Sequence, residues 1–397
     1  MLFTKLRIKN LYSFQDSVLD FTFPKKPVNS TILCEHPKDR PNINVKRFCI
    51  FTGGNASGKT AIGKILCGVQ NLIARGNSID WIHAGICDAG RQAEVHAEVI
   101  STHNNWIHSF VFKFNKSAEL IEGMPVEIEY AGVYITKTDY ISSARKKLAA
   151  IFENKKAGTN ESYLHSNNFI SFREQLTEEA KSFETAGWYY QLSQNTNSSI
   201  SGFDNVIKGD ILKKVLTTFD ASILNVEKII SSEKGTSLGY RIEFKNSDSV
   251  IIENDGDISK NKSDRLSRGT YEAIKVAFFL SRIVEDSSLD GGGGATYFMD
   301  EAMAYAHSDL ERSTVNIILD KLGENSQFFY TTHNIDILDL NVPVHSHYFI
   351  RKDENGSQVL SAEKLLKKND RPLKNILNSD VFGILPDTST LEEMLWE

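Results

Sequence analysis

Apolar residues recur at nearly every second position along three stretches of the chain. Leu6, Ile8 and Leu11 are followed by Val18, Leu19, Phe21 and Phe23. A period of two puts alternate side chains on opposite faces of a strand. It predicts two antiparallel strands joined around residues 12–16. From Glu94 to Tyr134 the same period runs through Val95, Ala97 and Val99, then Ile107, Phe110, Phe112 and Phe114, then Val126, Ile128 and Tyr130. That predicts a small antiparallel sheet. The period returns after Asn225 in Tyr240, Ile242 and Phe244, then Val250 and Ile252.

Elsewhere the spacing changes. Residues 143–152, 172–194 and 203–219 carry helical spacing, with polar turns at 155–160 and 195–199. This predicts a helical insertion over 137–224. Residues 24–46, with prolines at 24, 27, 37 and 41, predict a loop. Three short runs are apolar without alternation: Arg47–Thr52, Thr296–Asp300 and Phe328–Thr332. Such runs read as strands buried on both faces, as in a parallel sheet. After residue 265 a helix, a strand, a helix and a strand follow one another, with Gly291–Gly294 expected as a flexible turn. The fold class is therefore α/β, with a mixed or parallel core sheet and an antiparallel β subdomain. The expected division is 1–136 as an N-terminal lobe, 137–224 as the insertion and 225–397 as a C-terminal lobe.

Composition excludes more than it assigns. The chain has 397 residues, 41% hydrophobic and 24% charged, with a formal net charge of -6. Those values are ordinary for a globular protein and give no basic coat for nucleic acid. No run reaches the roughly 18 apolar residues that a membrane helix needs. The start of the chain alternates apolar and charged residues and reads as a strand, not a signal peptide. Cys34, Cys49, Cys67 and Cys87 have no C-x-x-C spacing, so they read as reduced thiols of a cytoplasmic protein. Basic clusters at Arg145-Lys146-Lys147, Lys155-Lys156 and Lys213-Lys214 fall in the insertion; they are solvated helix faces or a local nucleic-acid contact.

The chemistry concentrates at Gly53-Gly54-Asn55-Ala56-Ser57-Gly58-Lys59-Thr60. This fits G-x-x-x-x-G-K-[ST], between an apolar strand and a helical run. Glycines let backbone N–H groups close around phosphate oxygens, and a helix start adds its positive end. Lys59 would reach the β- and γ-phosphates of ATP, and the Thr60 hydroxyl would ligate Mg²⁺. Asp300 and Glu301 end an apolar strand; the first suits Mg²⁺ and the second suits a general base. Ser267 precedes a strongly helical run as an N-cap, with Arg268 and Gly269 in the first turn. His333 ends another apolar strand, where it could sense a γ-phosphate.

These four pieces, in this order, resemble the ABC-type ATPase head of the RecF, SMC and OLD-like proteins. The opening Leu6-Arg7-Ile8-Lys9-Asn10-Leu11-Tyr12-Ser13-Phe14 is similar to the first strand of that group. The resemblance implies that Gly53, Asn55, Ala56, Ser57, Gly58, Lys59 and Thr60 form the Walker A loop. It implies that Asp300 and Glu301 are Walker B, that Ser267, Arg268 and Gly269 are the signature loop, and that His333 is the switch histidine. It also implies two heads sandwiching ATP, as a homodimer or higher oligomer. The signature reads Leu-Ser-Arg-Gly-Thr rather than the transporter form, Ala302 replaces the usual proline, and no glutamine is assignable to a Q-loop.

Function then divides. An ATPase head without its own effector suggests a switch controlling a separately encoded nuclease or toxin, as in bacterial anti-phage systems. A RecF-like repair ATPase that binds DNA is the alternative, as is an OLD-like ATP-dependent nuclease. The stretch after His333 carries scattered acids (Asp336, Asp339, Asp353, Asp370, Asp380, Asp387) without a clear metal-carboxylate unit.

Overall fold

The computed structural model describes residues 1–24, 30–116, 123–192, 206–232, 235–258, 265–288, 294–366, 373–380, 383–384 and 392–393. The turns expected at 195–199 and at Gly291–Gly293 lie outside them. The chain divides into two compact units. The first takes Met1–Tyr190, Gly294–Phe298 and Glu324–Glu397; the second takes Gln191–Gly293 and Met299–Gly323.

In the first unit, strands β1 (Leu2–Leu11) and β2 (Phe14–Asp20) form the expected hairpin. Four more strands, β4 (Ala93–Ser101), β5 (Trp106–Phe114), β6 (Glu127–Tyr134) and β7 (Glu161–Ser166), extend the sheet in the order β2-β1-β4-β5-β6-β7, every pair antiparallel. Alternation decides its faces. Leu6, Ile8, Leu11, Leu19, Val95, Ala97, Phe110 and Phe112 are buried. Arg7 and Lys9 point the other way, to Asp16 at 2.7 Å and Glu94 at 2.9 Å. A fully buried aliphatic or aromatic side chain stabilises by roughly 1.5–3 kcal/mol, against roughly 0–1 for exposed ion pairs, so the apolar face sets the register.

The second sheet runs β15 (Gly356–Ser361), β14 (His347–Asp353), β3 (Phe48–Gly53), β13 (Gln327–Thr332), β12 (Ala295–Asp300), β8 (Gly187–Gln191). Strand β3 is parallel to both β14 and β13. Every residue of β3, β12 and β13 is buried, which is why those runs are apolar without alternation. The buried Gln327 amide ties the two sheets: its Oε1 accepts from Phe3 N, and its Nε2 donates to Phe3 O and Lys46 O. Phe3 and Phe21 meet Phe329 edge-on at 6.4 and 5.1 Å.

Helix α1 (Lys59–Arg75) follows β3. Gly63 lets it lie flat, since a Cβ there would stand 2.5 Å from the Phe298 ring of β12. Further along, the Tyr190 hydroxyl donates to Gln70 Oε1 at 3.0 Å, and Arg75 lies 4.7 Å over the Trp188 ring.

The stretch 137–224 is not one helical body. Helix α2 (Ile141–Asn154) forms as expected and buries Ala144, Leu148 and Ile151 against Leu2, Ile100, Ile107 and Val133. A short α3 (Phe169–Gln175) also forms. Between them β7 adds to the open edge of β6, from Val133↔Glu161 to Ile128↔Ser166. Residues 187–191, expected as helix, are the edge strand β8. An unpaired strand edge leaves main-chain groups without partners, and these segments supply them. Arg145 explains part of the basic cluster: it donates to Glu98 at 2.8 Å, to Asp20 at 3.0 Å and to Thr4 O at 3.2 Å. Lys147 pairs with Asp139 at 2.9 Å. Two of the three cations at 145–147 thus serve the fold.

The second unit holds a three-stranded antiparallel sheet of β9 (Ile223–Ile230), β10 (Ser237–Phe244) and β11 (Ser249–Ile252), in the order β11-β10-β9. Helices α4 (Gly209–Phe219), α5 (Arg268–Ser287) and α6 (Ser308–Lys321) accompany it. The buried Leu212 and Leu216 recur at helical spacing on α4. Arg265 anchors the entry to α5, with its guanidinium 3.8 Å over the Phe244 ring and Nε 3.3 Å from Asp248.

Candidate functional site

Strand β3 ends at Gly53, and residues 54–58 turn the chain into α1. The turn needs two backbone conformations that most side chains resist: Ala56 has φ 56° and Gly58 has φ 107°. Gly53 is required for a different reason. A Cβ there would lie 2.5 Å from Ile350 O and 2.9 Å from Ser57 Oγ. At Gly58 it would lie 2.8 Å from the Phe14 ring, so the β1–β2 hairpin abuts the turn. Helix α1 starts at Lys59 without a side-chain cap. N–H groups of a first helical turn have no intrahelical acceptor.

Lys59 is 3% exposed, yet its ammonium is satisfied. Nζ donates to Gly53 O at 2.9 Å and Gly54 O at 3.0 Å, and lies 3.2 Å from His333 Nδ1. His333 Nδ1 is itself 3.1 Å from Gly53 O. The parallel pairing of β3 with β13, Thr52 opposite Thr332, brings together two residues 274 positions apart. Asn55 and Ala56 are exposed, Thr60 is half-buried on the first turn of α1, and Ser57 is buried. Ser57 Oγ is a buried hydroxyl without a hydrogen-bond partner among the described residues, as is Thr52 Oγ1 near the end of β3. A buried hydroxyl left so costs about 1–3 kcal/mol, which a ligand oxygen would recover. Oxygen-rich, anionic groups fit this donor set: lysine ammonium, hydroxyls and main-chain N–H groups. The triphosphate of ATP meets that test.

In the second unit, one cavity of about 870 Å³ gathers Asp300, Glu301, Ser267, Arg268, Glu272 and Gln191 among its lining residues. Asp300 is fully buried at the end of β12. Glu301 follows it with φ 48°, a left-handed conformation that is strained for glutamate. Ser267 caps α5, its Oγ accepting from Thr270 N at 3.0 Å. Arg268 Nη1 donates to the Tyr305 hydroxyl at 3.2 Å and lies 5.4 Å over that ring. Gly269 is tight, as a Cβ would come within 3.3 Å of Tyr305 O. Glu272 accepts from Tyr305 N at 3.2 Å; burial lifts its carboxyl to about 7, which the Tyr305 N–H and Lys275 only partly offset.

Gln191 escapes a reading from sequence. It is the last residue of β8, it lines the same cavity as Asp300 and Glu301, and its Oε1 is buried without a partner among the described residues. Its signal was local: Gly187-Trp188-Tyr189-Tyr190, an aromatic run bounded by glycine, is strand-like, and a glutamine closes it.

No family model and no curated protein matches the chain. Among solved structures, a similar chain course is found in one described as the SmcHead bound to the C-winged helix domain of ScpA. The TM-score is 0.47 and the identity 16%, over 93% of this chain and 100% of that one. At that level of likeness nothing further about this chain follows from it.

Proposed function

We propose that the chain binds ATP with Mg²⁺ at residues 53–60 and hydrolyses it, working as a nucleotide-dependent switch. The observation that carries this reading is Lys59, turned onto the Gly53 and Gly54 carbonyls beside His333. The lysine has a held resting position within reach of the phosphate cradle and exchanges carbonyl oxygens for phosphate oxygens. Backbone N–H groups of the turn and the start of α1 hold the remaining phosphate charge. Bound Mg²⁺ would neutralise developing phosphate charge. Thr60 and Asp300 are its proposed protein ligands, Gln191 an added polar contact. Glu301 orients a water and accepts its proton. His333 reports on the terminal phosphate.

In the same proposal, Ser267, Arg268 and Gly269 act on nucleotide held by a second copy, so that ATP joins two heads. The ABC-type head of the RecF, SMC and OLD-like proteins is the family this arrangement suits. Control of a separately encoded effector in anti-phage defence is the reading we favour. Among the described residues, the stretch after His333 adds strands β14 and β15 to the second sheet. A RecF-like DNA role remains the second reading, weakened because Arg145 and Lys147 are spent on Glu98, Asp20 and Asp139.

Two variants test this. Lys59→Ala abolishes ATP binding measured by calorimetry. Glu301→Gln keeps binding but lowers turnover by about 10²- to 10⁴-fold, the usual loss when a general base is removed. Binding retained in Lys59→Ala, or full turnover in Glu301→Gln, would refute the assignment.

A further inference from the structure

The start of α5 carries a hydrogen-bond chain whose proton directions can be fixed. Asp220 Oδ2 accepts from Thr270 Oγ1 at 3.0 Å. Thr270 Oγ1 lies 2.7 Å from Ser267 Oγ. Ser267 Oγ also accepts from Thr270 N at 3.0 Å. The Asp220 carboxyl is held below its usual range: burial opposes ionisation, but hydrogen bonds from Ser222 and Thr270 and the charge of Arg265 outweigh it. An ionised carboxylate only accepts. Thr270 has one hydroxyl proton, and it goes to Asp220. The contact between the two hydroxyls must then use the Ser267 proton, with Thr270 Oγ1 as acceptor. Thr270 is 1% exposed, so water does not compete freely for its hydroxyl.

We propose that Asp220 is a positioning residue that commits the Ser267 hydroxyl proton inward through Thr270, so that Ser267 donates to an anion less readily until Asp220 lets go. This rests on the proposal that Ser267 contacts a nucleotide phosphate. As it stands, Ser267 offers a phosphate oxygen only lone pairs, which repel it. Release frees the Thr270 proton for Ser267 Oγ, and the serine proton turns outward. No covalent bond changes; two hydroxyl rotors turn. What holds the lock is also visible. Asp220 Oδ1 accepts from Ser222 N at 2.9 Å and Ser222 Oγ at 2.6 Å, just before β9. Asp220 itself follows directly on α4. A shift of the corner between α4 and β9 would therefore arm the serine, which makes the three-stranded sheet the input of the switch and Ser267 its output.

Thr270→Val tests this in the full chain. It removes the relay hydroxyl, keeps the main-chain N–H that satisfies Ser267, and preserves side-chain shape. Turnover at saturating ATP should rise about threefold to tenfold, the worth of one hydrogen bond to a charged oxygen, offset in part by the Asp220–Thr270 bond given up. Thr270→Ser, which keeps the relay, should stay at the wild-type rate. Unchanged or lower turnover in Thr270→Val, with unfolding still cooperative, would overturn the lock. A double-mutant cycle of Asp220→Ala and Thr270→Val on thermal unfolding without nucleotide reads the Asp220–Thr270 bond alone; zero coupling would also overturn it. Lys59→Ala run alongside separates the two ideas. If it turns over ATP like the wild type, the nucleotide assignment falls and takes the lock with it.

Discussion

Gly63→Ala sets two known effects against each other. In a helix interior alanine is favoured over glycine by about 1 kcal/mol. At Gly63, however, the new methyl would stand 2.5 Å from Phe298 Cε1 and 2.6 Å from Cζ. Ordinary carbon contacts need about 3.5–4.0 Å, so helix or ring must move by roughly 1 Å. The ring has little room. It stacks on Tyr190 at 5.7 Å and meets Phe329 at 6.4 Å, and Tyr190 is held by its bond to Gln70 on the same helix. Overpacking of this kind costs about 1–3 kcal/mol, and a ring clamped on both sides puts the cost near the upper end. The clash therefore wins, for a net loss of about 2 kcal/mol. The melting midpoint should fall by roughly 2–4 °C. Because Gly63 is one turn from Lys59 and Thr60, the displaced helix start should also weaken ATP binding. Phe298→Leu should be harmful alone and should relieve Gly63→Ala in the double variant, with coupling of at least about 1 kcal/mol. Calorimetric unfolding of the four proteins decides it. A Gly63→Ala chain as stable as the wild type, with additive double-variant energies, would mean that α1 does not lie closely on Phe298.

Two further outcomes are expected. Gln191→Ala should not lower the melting midpoint, since Gln191 Oε1 has no partner among the described residues to lose, while turnover falls about tenfold to a hundredfold if that oxygen serves the nucleotide site; an unaffected rate removes Gln191 from it. Glu272 gives a pH signature. Burial raises its folded-state value from 4.5 to about 7, so the folded chain keeps a proton that the unfolded chain releases. That contribution is fully present at low pH and is lost as pH rises through about 7. Glu272→Gln should therefore gain on the wild type in midpoint between about pH 5 and pH 8, and parallel curves would show that Glu272 titrates normally.

What could be read from sequence follows from how locally each feature is determined. Strands β3, β12 and β13 are buried on both faces, so their apolar runs carry the signal within six residues each. The turn at 53–58 is legible because Gly53 and Gly58 answer to steric limits within a few ångströms. Strands β7 and β8 are different. They lie at sheet edges, and β8 is half-exposed along its whole length, so a core pattern is absent and neighbouring acidic and basic residues suggest a helix. Misreading β8 is what hides Gln191. The cluster at 145–147 fails for another reason: the acids that hold Arg145 are 125 and 47 residues away, and no window includes them.

Two helix starts, α1 in the first unit and α5 in the second, show how far motif and context diverge. At α1 the cap position is glycine, which contributes no side-chain acceptor. Residue types alone announce that arrangement, because little else tolerates φ 107° at Gly58. At α5 the cap is Ser267, whose Oγ accepts from Thr270 N and lies 2.7 Å from Thr270 Oγ1. A serine cap in a sequence says only that a helix begins. Whether it can also serve an anion depends on where one proton points, and in the proposed lock that is set by Asp220, 47 residues earlier, through Thr270. The binding proposed at the start of α1 needs no such release. In the proposed lock, the start of α5 has first to be released from its own fold before Ser267 donates, which is a property a switch needs.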